Sequence, residues 1–482
     1  MELRQVYERS LTGVRWGLAS QLLIRSAGFA SSIIVARLLS PTDFGLLGMA
    51  MTVSGIAGIL SDFGLGQALV QCQENLNRRA QQTFWVQFAL AVVLTAGQVL
   101  AAPLFADFYA TEGLVSVLRV SALSYLIGAL GSVSGVLLQK DLRFKTIYLI
   151  ETVASFLRIG VTIGLAATGW GFWSVVYADL ISKAALTVLR LWYAKWHPDL
   201  PTTLTGYAGT FKFGQYTYLT NLLNYLMNNM DFIILGKLYG TQILGPYYFA
   251  YSLVMTIHQM LAGLTGNITF SSIAALSSQP EAKRNYFRRT LQVIGFAAIP
   301  IYAFFGVSAP SIIIGVFGDK WSDAVVPFAF ISIFGAVRAM ASPFGSYSWG
   351  AGDARTPWLW HVSMCPILSF AIYVAAHFGV NWVAACTGVL HSAAYLTFAW
   401  LIARVHHLPV MPLVQALFPA FGIVVLAALT ILFANQIIPG QSLTKLIVNG
   451  FLYAGVILAG WLVVARGALL DLKRILIVEG GR

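Results

Sequence analysis

The chain has 482 residues, 58% hydrophobic and 10% charged, and its 30 Lys and Arg against 18 Asp and Glu give a net charge of +12. Soluble domains carry roughly a quarter of their residues as Asp, Glu, Lys and Arg, so a water-facing globular surface is excluded and the surrounding medium is lipid. Runs of about 20 apolar residues, the length that crosses a bilayer as helix, recur from end to end and predict an all-α polytopic membrane protein.

Taken in chain order, MELRQVYERSLTGVRW leads into an apolar segment from about Gly17 to Ala36, longer than a signal-peptide core and read as a retained first span. Cutting the rest at polar clusters gives fourteen spans, near residues 16–36, 43–61, 82–104, 114–138, 146–167, 172–192, 212–236, 243–265, 289–309, 324–347, 357–378, 381–403, 411–435 and 445–465. The longest connections, HPDLPTTLTGYAGT and SSQPEAKRNYFRRT, are too short to hold a soluble domain. Cys72, Cys365 and Cys386 show no metal-ligand spacing and imply no disulfide framework. No metal and no cofactor is expected, and no catalytic constellation marks an enzyme.

Lys and Arg are retained on the cytoplasmic side of a membrane. With the N-terminus inside, the inner segments hold 21 of the 30 basic residues, among them Arg78, Arg79, Lys140, Arg143, Lys145 and the cluster Lys283, Arg284, Arg288, Arg289. The outer loops keep Arg37, Lys237, Lys320 and Lys445. Both termini are therefore expected in the cytoplasm, and the positive charge is a topology signal that fits anionic membrane lipids as neighbours and no nucleic acid.

The chain also repeats itself. ARLLSPTDFG, ending at Gly45, aligns with GKLYGTQILG, ending at Gly245, and Lys140-Asp141-Leu142-Arg143 is echoed by Gly352-Asp353-Ala354-Arg355 at an offset of 212. Parallel repeats about an axis along the membrane normal follow. The expected organisation is an N-lobe over 1–195 (spans one to six), a C-lobe over 209–405 (spans seven to twelve), a helix pair over 411–465 and a tail over 466–482.

Charges inside spans are the candidate site. Arg25, Arg119, Arg158, Lys183 and Arg338 each cost roughly 2.5–3.5 kcal/mol near a helix centre; Arg119 is close enough to its helix end to snorkel. Arg25 lies ten residues beyond Arg15 and twelve before Arg37, about 15 Å from either end, which puts it near the midplane. Gln21, Arg25, Gly28 and Ser32 share one face of the first span, and Asn221, Asn224, Asn228 and Asp231 share one face of the seventh, its repeat counterpart. Such stripes either line a cavity for a hydroxyl-rich ligand or join helices.

Asp179 and Lys183 have the spacing of an intrahelical ion pair, and Glu151 and Arg158, seven apart, share a face. Tyr247, Tyr251 and His258 form a stripe suited to packing or to stacking on sugars. Glu151, Asp179 and Asp231 are the acidic residues deep in spans and the candidates for ion coupling; basic residues outnumber them, so the lumen is expected to be positive. In GILSDFGLGQ, Asp62 closes a helix that starts near Asp43 with Thr42 as its cap, and is either a cytoplasmic gate or an interfacial aspartate after a helix stop. A kinase Asp-Phe-Gly reading lacks its partner motifs.

ARLLSPTDFGLLGMAMTVSGIAGILSDFGLGQALVQ, LLQKDLRFKTIYLIET, GPYYFAYSL and VFGDKWSDAVVPF together resemble the Wzx-type flippases of the multidrug/oligosaccharidyl-lipid/polysaccharide (MOP) exporter superfamily, over about residues 10–435. The similarity is to the branch that includes colanic-acid and related lipopolysaccharide-biosynthesis transporters. It implies a two-lobe bundle of the MOP/MATE kind in the bacterial inner membrane, moving an undecaprenyl-pyrophosphate-linked oligosaccharide outward by alternating access through a cationic cavity. It further implies work alongside polysaccharide polymerase machinery. By span position and charge the cavity role is carried only to Arg25, Arg158, Lys183 and Arg338; Asn221, Asn224, Asn228 and Tyr251, from the stripes read above, are the candidate sugar contacts. The alternative on the same fold is a MATE-like, cation-coupled small-molecule antiporter, which calls for a more acidic cavity. A membrane glycosyltransferase or polymerase calls for a large catalytic outer loop, and the outer loops here are short.

Overall fold

A computed structural model describes residues 3–61, 66, 69, 75–199, 208–276, 279–409, 411, 415, 417–437 and 443–464; these residues are helical with short connections and hold no strand. The helices are α1 (Leu3–Leu38), α2 (Pro41–Ser61), α3 (Leu76–Tyr109), α4 (Gly113–Lys140), α5 (Phe144–Ala167), α6 (Trp173–Ala194) and the long α7 (Ala208–Ala275). After them come α8 (Pro280–Val307), α9 (Val325–Gly350), α10 (Arg355–Ala376), α11 (Val380–Val405), α12 (Phe418–Ile437) and α13 (Leu443–Val464).

Ten described helices are long and apolar enough to cross a membrane. The remaining four of the fourteen predicted spans have distinct forms. Helix α6 carries Asp179, Lys183 and Arg190 within its 22 residues, two spans are the arms of the 68-residue α7 on either side of Gly240, and α12 has a shorter apolar stretch, Ala420–Asn435. The protein is a multi-pass helical membrane protein.

The chain forms two compact units, Met1–Gly245 and Pro246–Arg482, with the boundary inside α7. In the first, α4 packs on α3 and α6, and α5 packs on α1 and α6. In the second, α9 packs on α8 and α11, while Ile299 of α8 joins Ile423, Ala427 and Ile431 of α12 and Tyr453 and Ile457 of α13 in one apolar cluster. Trp321, fully buried beside Phe249 at 4.0 Å between ring centres, anchors the Gly-Asp-Lys-Trp segment before α9.

The start of α2 differs from the sequence expectation. Ser40, not Thr42, caps the helix: Asp43 Oδ2 accepts from Ser40 N (2.8 Å) and from Ser40 Oγ (2.6 Å), while Asp43 N donates to Ser40 Oγ (3.2 Å). This is a reciprocal capping box with Pro41 at the first helical position, where its missing N–H costs nothing. Asp43 Oδ1 also accepts from Phe172 N (3.2 Å), fixing the entry to α6 beside that cap.

The internal repeat is written into the backbone. Left-handed residues end helices at Ala110, Leu142, Gly169 and Lys195, and again at Gly318, Gly352, Gly379 and His407, separations of 208, 210, 210 and 212 residues. Leu142 and Gly352 close the same kind of stop, with Arg143 N bonded to Leu138 O and Asp353 N bonded to Ser348 O, the six-to-one bond of a Schellman cap. The structural register of that motif is therefore 210, not 212: what repeats is the left-handed position, not the Asp-x-Arg letters.

The earlier pair of motifs meets in space. A Cβ on Gly45 would overlap the carbonyl oxygen of Thr241, and one on Gly245 would overlap that of Pro41. Position 41 pairs with 245 and 45 with 241, so the contact is reciprocal under the offset of 200, as in an isologous contact. Further along α2, the ring of Tyr225 from the first arm of α7 occupies the space a Cβ on Gly55 would need, and its hydroxyl bonds Met51 O (2.9 Å) and Thr52 O (3.1 Å).

Candidate functional site

The first unit contains a cavity of about 590 Å3 lined by α2 to α6, within the range of about 300–1,000 Å3 usual for small-ligand sites. Its walls follow from helical spacing. Helix α4 contributes Ser121, Tyr125, Gly128 and Ser132 at steps of four, three and four, and α2 contributes Met51, Ser54, Gly58 and Ser61 at steps of three, four and three. Neither Gly58 nor Gly128 has any atom within 4 Å of where a Cβ would stand, so both open onto empty space.

The polar part of the wall is braced. Gln98 Nε2 donates to Leu118 O (2.8 Å) and reaches the hydroxyls of Ser54 and Ser121 (3.2 Å each), while Tyr125 Oη donates to Gln98 Oε1 (2.7 Å). Ser132 donates to Gln87 Oε1 (2.6 Å). Hydroxyls and amides held this way keep spare acceptor and donor capacity for a polar ligand.

Four charged residues line the cavity: Arg158 of α5 and Asp179, Lys183 and Arg190 of α6, three basic and one acidic. Lys183 Nζ lies 2.9 Å from Asp179 Oδ2, with side chains 40% and 43% exposed, so the spacing of four predicted this pair. Glu151 does not pair with Arg158; it lies in electrostatic reach of Arg190, which packs over Gly135 of α4. The reason is the helix turn: two turns of α5 separate Glu151 from Arg158, whereas α6 passes alongside. Arg158 is exposed and has no described carboxylate within ion-pair distance.

The other predicted site residues lie elsewhere. Arg25 is half-buried on α1 and does not line this cavity. On α7, Asn228 Nδ2 donates to Asn224 O (2.6 Å) and Asn224 Oδ1 (2.8 Å), a bond along their own helix; Asn221 is exposed. Asp231 is buried, with Oδ1 accepting from Phe232 N at 3.0 Å. In the second unit, Tyr247 is fully buried and bonded to Thr387 (3.0 Å), a packing role. There too Arg338 Nη1 reaches Tyr251 Oη (3.3 Å) and Met255 Sδ (3.2 Å), its guanidinium over Phe334 and Tyr395 at 5.5 and 5.9 Å. Asp62 lies outside the described residues.

Sequence reasoning misses Arg190, one of the 21 basic residues it places in cytoplasmic segments, and the serine and glycine stripes of α2 and α4. The signal was present: the stripe of small and polar residues on α4 has the same period as those read on the first and seventh spans.

The profile of the polysaccharide biosynthesis protein family matches residues 34–326. The chain belongs to that family. It is 24% identical over 342 residues to the lipopolysaccharide biosynthesis protein WzxC of Escherichia coli K12, covering 70% of this chain and 69% of the relative. It is 26% identical over 426 residues to the teichuronic acid biosynthesis protein TuaB of Bacillus subtilis 168, covering 86% and 87%. Among solved structures, the lipid II flippase MurJ in an inward closed conformation superposes with a TM-score of 0.76 at 12% identity, over 95% of this chain and all of that one. The fold of this polysaccharide biosynthesis protein is thus the expected flippase fold of about fourteen helices.

Proposed function

We propose that the chain is a flippase that carries an undecaprenyl-pyrophosphate-linked oligosaccharide from the cytoplasmic to the periplasmic leaflet of the bacterial inner membrane, for polysaccharide assembly. The observation that carries this reading is the cavity of the first unit, where three basic side chains and one acidic one stand among hydroxyls and amides. In hydrocarbon a diphosphate and its sugars face a large desolvation barrier. A wet wall with fixed guanidinium groups lowers that barrier, because the planar fork of Arg donates paired hydrogen bonds to phosphate oxygens.

Arg158 and Lys183 take the diphosphate, with Arg190 beside them. The serine and amide wall takes the adjoining sugar, and the polyprenyl tail stays in lipid. Arg25 and Arg338 serve the same anion at other points of its path, and the amides Asn221, Asn224 and Asn228 and the Tyr251 hydroxyl serve its sugars. The site makes and breaks no bond, so transport is the whole activity. The net positive lining disfavours the cationic cargo of a MATE-like antiporter. The lobes of this reading, 1–195 and 209–405 with the pair 411–465, work by alternating access, both termini stay in the cytoplasm, and the exported unit passes to the polymerase machinery.

The test is reconstitution of the full chain into proteoliposomes with a labelled undecaprenyl-diphosphate glycan in one leaflet. Translocation is expected for the wild type, with a loss of tenfold or more for Arg158→Gln, on the order of one charge-assisted contact. No translocation by the folded wild type, or equal rates for both proteins, overturns the reading.

A further inference from the structure

We propose that Asp179 is an internal counter-ion that the anionic end of the cargo displaces from Lys183. The inference rests on the reading above that the cavity takes a diphosphate.

Lys183 and Asp179 sit one turn apart on α6, 2.9 Å from nitrogen to oxygen, and both side chains are about two-fifths exposed. Both line the cavity. A partly hydrated intrahelical pair contributes little to stability, and the Lys ammonium is a point charge on a flexible stem that can swing to a second acceptor. Arg158 faces the same space with no described carboxylate at ion-pair distance. The lumen therefore offers the open guanidinium of Arg158, that of Arg190 in reach of Glu151, and one ammonium already occupied by a weak internal anion.

A diphosphate presents several charged oxygens at once and competes with the single carboxylate for Lys183. When Lys183 turns to it, the attraction between Lys183 and Asp179 is lost, and that loss is subtracted from the grip on the cargo. Binding and release are thereby balanced: Asp179 holds Lys183 ready while the cavity is empty and weakens the grip on the cargo once it is loaded. An aspartate in this position favours exchange over tight holding, which suits a carrier that must let go in the opposite leaflet. Asp179 is a positioning residue in this scheme, acting on the cargo through Lys183.

The experiment is a double-mutant cycle on full-length protein in nanodiscs, reading the dissociation constant of inorganic pyrophosphate by calorimetry. Asp179→Asn is expected to tighten binding about tenfold and Lys183→Gln to weaken it by a similar factor. The double variant is expected to match Lys183→Gln within about twofold, because removing the partner removes the effect. Asp179→Ser, read alongside a melting curve for each variant, supplies a second route should the Asn variant fold poorly.

A tightening that persists undiminished in the Lys183→Gln background overturns the proposal, since Asp179 would then act only through the general field of the cavity. Unchanged or weaker binding by both Asp179 variants overturns it as well. In either of those outcomes, pyrophosphate binding that still falls in Arg158→Gln leaves the cavity reading standing. Absence of binding by the wild type removes both.

Discussion

Gly128 is the most direct handle on the cavity at the scale of a single residue. It lies on the α4 stripe between Tyr125 and Ser132, and no atom comes within 4 Å of its missing Cβ. A larger side chain there enters empty space instead of a neighbour. Gly128→Leu is therefore expected to keep the wild-type melting temperature within a few degrees and to cut glycan translocation by tenfold or more. An even better helix former at this position offsets the loss of hydration by roughly 0.5–1 kcal/mol. Normal transport by a folded Gly128→Leu protein would show that the cargo does not occupy this space. The same residue shows what was legible in the sequence. Interior charges stood out because each is costly in lipid, so Arg158, Lys183 and Asp179 were found. Serines and glycines carry no such cost, so those of α2 and α4 did not stand out.

The contact between α2 and α7 shows two reasons for glycine at the scale of helices. Gly45 and Gly245 are needed for space, because a Cβ on either would run into a backbone carbonyl that cannot turn aside. Gly240 is needed for conformation: at φ 69 and ψ −168 it bends the 68-residue helix, with no atom within 4 Å of a Cβ position. Backbone in that region is nearly restricted to glycine and costs other residues about 1–3 kcal/mol. Gly245→Ala and Gly240→Ala are both expected to lower the melting temperature, the first by overpacking worth about 1–3 kcal/mol or more. They separate on a second change. Thr241→Gly leaves the Pro41 carbonyl in place and does not rescue Gly245→Ala, whereas alongside Gly240→Ala it supplies a new flexible position that restores the bend; recovery of stability in that double variant alone is the expected readout of a thermal unfolding series. The repeated motifs that meet here were visible in the sequence as aligned letters. That they touch was not, since an alignment gives equivalence and says nothing of contact. The later motif was aligned two residues out of register because its equivalence lies in a left-handed helix stop, filled by Leu142 in one copy and Gly352 in the other.

For the molecule as a whole, the distribution of basic residues makes a prediction about sidedness that the helices allow to be checked at two turns. Helices α3 and α4 are joined by Ala110-Thr111-Glu112, with no Lys or Arg, whereas α4 and α5 are joined by Asp141-Leu142-Arg143 with Lys140 and Lys145 adjoining. Arg143 Nη1 also donates to Tyr193 O at 2.8 Å, tying the basic turn to the end of α6. Basic segments stay on the cytoplasmic side because of their charge, so the first turn is expected to face the periplasm and the second the cytoplasm. Glu112 and Asp141 are both exposed, and Cys365 and Cys386 are buried, so only Cys72 needs replacing by serine to clear the background. A membrane-impermeant maleimide is expected to label Glu112→Cys in intact cells and Asp141→Cys only after the membrane is opened. The 28 residues of α4 between these sites span about 42 Å at 1.5 Å per residue, enough to cross the hydrocarbon core and both interfaces. Labelling of both sites in intact cells would mean that α4 does not separate two compartments; labelling in the reverse order would invert the whole chain and with it the direction in which an anionic cargo meets Arg158.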